Sequence, residues 1–138
     1  MTPVTTPVGV GPKFSDIQAG LYHACGLTSN STGVYCWGAN DQGQTGASAT
    51  EGAVLVPTIA AGTAGVTAIA VGTDSVLARA ADGSILCWGR GDNEECLEAG
   101  AGAKLKQAGV VPSLHGGINV TTGARSCVLA AAPYTVLC

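Results

Sequence analysis

Short apolar runs, each halted by glycine or by a cluster of small polar residues, set the pattern of this chain. Phe14–Ala19 runs into Gly20, Tyr22–Thr28 leads to Ser29-Asn30-Ser31-Thr32, and Val34–Trp37 ends at Gly38. Runs of four to seven residues that partly alternate in character and are bounded by turn formers predict strands rather than helices. The stretch Gly38 to Gly46 is rich in turn residues, and a fourth run near Val54–Ile59 completes a unit of four short antiparallel strands.

The unit recurs. Gly33-Val34-Tyr35-Cys36-Trp37-Gly38 is answered by Gly83-Ser84-Ile85-Leu86-Cys87-Trp88-Gly89, and Ile17-Gln18-Ala19-Gly20 by Ile69-Ala70-Val71-Gly72. A third copy begins near Ile118, where Cys127-Val128-Leu129 answers Cys25-Gly26-Leu27. Cys36, Cys87 and Cys138 stand at equal steps of 51 residues. The expected division is a leader over 1–13, one unit over 14–65, a second over 66–117 and a truncated third over 118–138. The last copy stops where Trp-Gly would follow, which is expected of an array cut within a longer one. Four strands in about fifty residues is the size of one β-propeller blade, so the fold class expected is all-β, with two blades and part of a third.

The stretch His23-Ala24-Cys25-Gly26-Leu27 followed by Gly33-Val34-Tyr35-Cys36-Trp37-Gly38-Ala39-Asn40-Asp41-Gln42-Gly43-Gln44-Thr45-Gly46 resembles the hallmark repeat of the regulator-of-chromosome-condensation family. It is similar in particular to the cysteine-bearing form in plant crinkly-type receptor ectodomains and in a propeller-type bacterial β-lactamase inhibitor. The resemblance implies a seven-bladed propeller, of which this chain supplies a partial arc. The second copy keeps Gly72, Asp82-Gly83 and Cys87-Trp88-Gly89 but replaces the later Gly-Gln-x-Gly with Gly91-Asp92-Asn93-Glu94-Glu95-Cys96-Leu97. A kelch propeller is the alternative array of similar period, but the Gly-Gly pair, Gly116-Gly117, occurs once and out of register. The repeat anchors are Gly20, His23, Trp37, Gly38, Gly72, Trp88 and Gly89.

Composition agrees with many turns and little helix: 21 Gly, one Phe, one Met and 11% charged residues in 138. Six Lys and Arg against nine Asp and Glu leave a net charge of −3, with the basic residues scattered, so the clustered positive charge of a nucleic-acid surface is missing. Val54 to Thr73 carries one charge-free stretch, but Pro57, Gly62 and Gly65 interrupt it, and no membrane span is expected.

The six cysteines suggest staples. Cys25 and Cys36, like Cys127 and Cys138, are separated by 11 positions across an expected hairpin; antiparallel register would set Cys25 opposite Cys36 and Leu27 opposite Val34. In the middle copy Leu77 replaces the first cysteine, which leaves Cys87 with Cys96 as its candidate partner. Six reduced, buried thiols are the alternative. Sequons occur at Asn30-Ser31-Thr32 and Asn119-Val120-Thr121.

Candidate chemistry is sparse. His23 could serve as a base, but it lies within the repeat signature, where the resemblance implies a structural role between blades. Its counterparts, Ser75 and Arg125, share no such chemistry. Asp92-Asn93-Glu94-Glu95 lacks the spacing of a calcium loop. No catalytic residue, metal or cofactor is therefore expected. Specificity is expected on face loops, over Ala39–Glu51, Arg90–Val110 and Ala130–Thr135, with one helical turn within Gly100–Gly109. The function expected is a non-enzymatic protein-binding module, extracellular or at the cell surface; the isolated arc, with open blade edges, is expected to be marginally stable, to self-associate or to belong to a longer parent. The alternatives are a guanine-nucleotide exchange factor for a small GTPase in cytoplasm or nucleus, and a purely structural scaffold segment.

Overall fold

In a computed structural model, the described residues are 11–47, 52–90, 104–111, 116–122, 126–130 and 135–137. The regular elements among them are strands. The first sheet holds β1 (Phe14–Ala19), β2 (His23–Thr28), β3 (Val34–Ala39) and β4 (Ala53–Ile59); the second holds β5 (Val66–Val71), β6 (Ser75–Ala80), β7 (Ile85–Arg90) and β8 (Lys104–Val110). Both are antiparallel meanders in sequence order. A third sheet orders β9 (Gly117–Thr122), β10 (Ser126–Ala130) and β11 (Val136–Leu137) as β11-β10-β9.

The repeat in sequence is a repeat in geometry down to single hydrogen bonds. Ser15 bulges from β1 and its hydroxyl donates to Leu27 O at 3.3 Å; Thr67 bulges from β5 and donates to Arg79 O at 3.2 Å. The β1–β2 turn closes with Gly20 N to His23 O at 2.9 Å, and the β5–β6 turn with Gly72 N to Ser75 O at 2.8 Å. In each outer strand three residues stand opposite one tryptophan: Leu55, Val56 and Pro57 opposite Trp37, and Lys106, Gln107 and Ala108 opposite Trp88. Pro57 is tolerated because β4 forms the sheet's outer edge, where a missing N–H need not disturb the ladder.

The core lies between sheets. Cys25, Leu27, Val34 and Cys36 from one face of the first sheet pack with Ile69, Val76, Ala78, Leu86 and Trp88 from the facing side of the second. The opposite face of the second sheet contributes Ala70, Leu77, Ile85 and Cys87 to a separate cluster with Val120 and Val128 of the third. Strand alternation thus sends Val76 and Ala78 one way and Leu77 the other, which is why these central strands read as continuous apolar runs.

Two readings are corrected. Lys104–Val110 is a strand, where a loop with one helical turn was expected. Its Lys, Gln, Ala and Gly residues lie in an outer strand, where backbone pairing with β7 decides the conformation. The loop after β3 is also more enclosed than a face loop should be: Asn40, Gln44 and Thr45 are buried. Asn40 Oδ1 accepts from Thr45 N at 3.1 Å and Gln44 Oε1 from Gln42 N at 2.8 Å, folding the polar side chains inward.

Candidate functional site: the seam between the first two sheets

The Trp-Gly motif is explained by register. Gly38 lies opposite His23 and Gly89 opposite Ser75, with φ of 104° and 97°. A Cβ on Gly38 would stand 2.7 Å from His23 Cα, and one on Gly89 2.9 Å from Ser75 Cα, so both conformation and space demand glycine. The preceding tryptophans occupy the same face of their sheets but meet different surroundings. Trp88 is fully buried, and its Nε1 donates to Gln44 O of the first sheet at 3.1 Å. Gly46, with φ of 65°, leaves room for the indole: a Cβ there would lie 3.1 Å from Trp88 Nε1. The signature Gly43-Gln44-Thr45-Gly46 is therefore the receptacle for the tryptophan of the next unit. Trp37 is half-buried, against Phe14 at 6.1 Å between ring centroids, on a face where no other described sheet packs.

Nearer the inner strands, Gln18 spans the seam. Its amide donates to Ile69 O at 2.9 Å and accepts from Val71 N at 3.2 Å, so one side chain satisfies both backbone groups of a neighbouring strand. Leu21 N donates to Thr73 O at 3.2 Å, and Gly20 lies so close to the Gly72 carbonyl that a side chain would collide with it. His23 fills the space behind this turn, 4% exposed, with no hydrogen bond to either ring nitrogen. Burial lowers its pKa to about 4, partly opposed by the negative charge of Asp74. Asp74 in turn pairs with Arg90 at 3.6 Å. At neutral pH His23 is an uncharged filler. Ser75 Oγ, at the equivalent place, is also buried without a partner.

The seam opens into a groove of about 350 Å³ lined by Ala19, Gly20, Leu21, Val71, Gly72 and Thr73. Beside it Leu21 and Tyr22 are 60% and 70% exposed. Antiparallel order puts this turn at the same end of the sheet as the β3–β4 loop, and Ala39 N donates to Tyr22 O at 2.8 Å. Neither Leu21 nor Tyr22 stands out in sequence, since exposure of an apolar turn depends on how the next sheet docks.

Cys25 and Cys36 are disulfide-bonded, with Cα atoms 4.1 Å apart in the register expected, at 0% exposure within the core of the seam. Cys87 and Cys127 are also disulfide-bonded. The candidate partners Cys96 and Cys138, the leader up to residue 10, Arg125 and the Asp92–Glu95 run lie outside the described residues.

Four-stranded meanders stacked face to face, with the core between them and Trp88 of the second seated in the loop of the first, are blades of a β-propeller. Residues 14–44 and 33–79 each match a model of the regulator of chromosome condensation (RCC1) repeat, so residues 14–79 are similar to that repeat family. No curated protein matches it by sequence. Among solved structures it is similar to human WBSCR16 (21% identity, 92% of this chain and 33% of that one, TM-score 0.78). It is also similar to Prp20p from Saccharomyces cerevisiae, whose structure was described with its binding to Gsp1p and histones (18%, 89% and 31%, TM-score 0.77). The ectodomain of the receptor kinase CR4 from Physcomitrella patens is a third (18%, 99% and 33%, TM-score 0.62). The chain thus spans about a third of the length of each.

Proposed function

We propose that the chain is a non-catalytic protein-binding part of a propeller, and that the partner is held at the seam groove and the β1–β2 turn. The observation that carries this reading is the pair Leu21 and Tyr22, 60% and 70% exposed on a turn anchored at Gly20, beside an open groove. Apolar side chains on a rigid turn bind at little entropic cost, and tyrosine is favoured at the centre of interfaces. The disulfides support a site of action outside the reducing cytosol, at the cell surface or beyond.

The test measures two things on the same protein. Capture of partners by the wild-type chain is compared with Leu21→Asp and Tyr22→Asp, and nucleotide release from a panel of small GTPases is followed by fluorescence. The expected result is a partner retained by wild type and lost at least tenfold in both variants, with no acceleration of nucleotide release. Retention of the partner by both variants would move the binding surface elsewhere. Acceleration would establish the exchange-factor alternative, which similarity in fold to Prp20p brings into consideration.

A further inference from the structure

The chain carries two sequons, and the structure separates them. Asn119 lies within β9, opposite Leu129 of β10, and the middle residue of its sequon, Val120, is 7% exposed in the core with the second sheet. Asn30 stands at the tip of the β2–β3 hairpin, where Asn30, Ser31 and Thr32 are all exposed. The tip is held from both sides. Ser29 N and Ser29 Oγ donate to Lys13 O at 2.9 and 3.0 Å, and Gly65 N donates to Ser31 O at 3.0 Å.

Within that frame the sequon is folded on itself. Thr32 Oγ1 donates to Asn30 Oδ1 at 2.9 Å and Thr32 N approaches the same oxygen at 3.4 Å, while Ser31 adopts φ of 55°. These bonds engage Oδ1 and leave Nδ2, the atom that would take a sugar, outside them. A groove of about 470 Å³, lined in part by Pro12, Lys13, Ser29 and Tyr35, adjoins Asn30 and leaves room for a first sugar. Five residues before the asparagine, and six after it, the strands of this hairpin are joined by the Cys25–Cys36 disulfide, the mark of an oxidising compartment of the kind in which such transfer takes place.

We propose that Asn30 is an N-glycosylation site and that Asn119 is not. In the reaction Asn30 Nδ2 forms a bond to the anomeric carbon of an oligosaccharide carried on a lipid pyrophosphate. The bond from that carbon to the phosphate oxygen breaks, the lipid pyrophosphate leaves with the electron pair, and one amide proton passes to a base of the transferase. The site is on the end of the sheet opposite the Leu21–Tyr22 turn, so a glycan there leaves the proposed binding groove open. The inference rests on the oxidising-compartment part of the proposed function and is independent of the partner.

The experiment is expression of the full chain through the secretory pathway of a eukaryotic cell. Intact mass is recorded with and without reduction, and with and without a glycan-releasing amidase, on both secreted and retained protein. The expected result is one glycan per chain, mapped to Asn30 by the Asn-to-Asp mass change on release. It is lost in Asn30→Gln and in Thr32→Ala, and kept in Thr32→Ser and Asn119→Gln. Mass change on reduction reads the disulfides separately, so a chain with bonded cysteines and no glycan overturns this assignment and leaves the compartment reading standing. Occupancy at Asn119, or loss in Asn119→Gln alone, overturns it as well.

Discussion

The first two blades share a register but differ in what covers the tryptophan side of each sheet. In the second blade Trp88 is enclosed by the loop of the first and gives its indole hydrogen to Gln44 O. In the first blade Trp37, Tyr35 and Phe14 occupy the corresponding face half-exposed, with ring contacts of 6.1 and 6.2 Å among themselves. The motif Cys-Trp-Gly therefore does not encode a buried side chain. It encodes a side chain aimed at the preceding blade, and burial follows only where such a blade is seated. A repeat protein divides its stability in the same way, between what each unit holds internally and what its neighbour adds.

Substitution of the two tryptophans breaks this comparison most sharply. Trp88→Ala should cost about 3–5 kcal/mol in urea unfolding, through a large buried cavity and an orphaned Gln44 carbonyl, whereas Trp37→Ala should cost about 1 kcal/mol. Equal losses would mean that the seam contributes nothing. The disulfide is next. The Cys25→Ala, Cys36→Ala double variant should lose about 3 kcal/mol, since the bond closes a loop of 11 positions and also fills the seam core, and the loss should appear as a lower denaturation midpoint.

An effect of at most similar size is expected from protons, and only in acid. His23 has its pKa lowered to about 4 in the folded chain from an ordinary value of 6.5, so below pH 6.5 the unfolded chain binds the proton first. Stability should be fully retained above pH 6.5 and decline as pH falls toward 4, by up to about 3 kcal/mol. His23→Ser, which copies Ser75, should flatten that slope in acid denaturation curves. An unchanged slope would move the acid sensitivity to other groups. The smallest of these effects belongs to Gln18→Ala, about 1 kcal/mol for two inter-blade hydrogen bonds, with faster hydrogen exchange at Val71 N as the local readout.

Much of this was legible in the chain itself, because strand and glycine positions repeat with the same step as the geometry. The strands β1 to β4, the opposition of Cys25 and Cys36, and the anchoring glycines Gly38 and Gly89 all follow from local pattern. What the sequence concealed depends on neighbours. Gln18 is an ordinary polar residue in a partly exposed strand until β5 is placed beside it. Gln44 and Thr45 read as a hydrated loop until Trp88 is laid across them. Lys104–Val110 shows no alternation because its order comes from pairing to β7. For His23 the structural role was visible, but not the lack of any hydrogen bond, which only the closed seam reveals.

The claim on which the rest depends is that Trp88 of one sheet is seated in the Gln44–Gly46 loop of another. Through-space NMR transfer from the Trp88 indole Nε1 proton tests it in the intact, oxidised chain. Cross-peaks to protons of Gly46 and Ala60 are the result expected of stacked blades. An indole that reports only protons of its own sheet, or solvent alone, would contradict it.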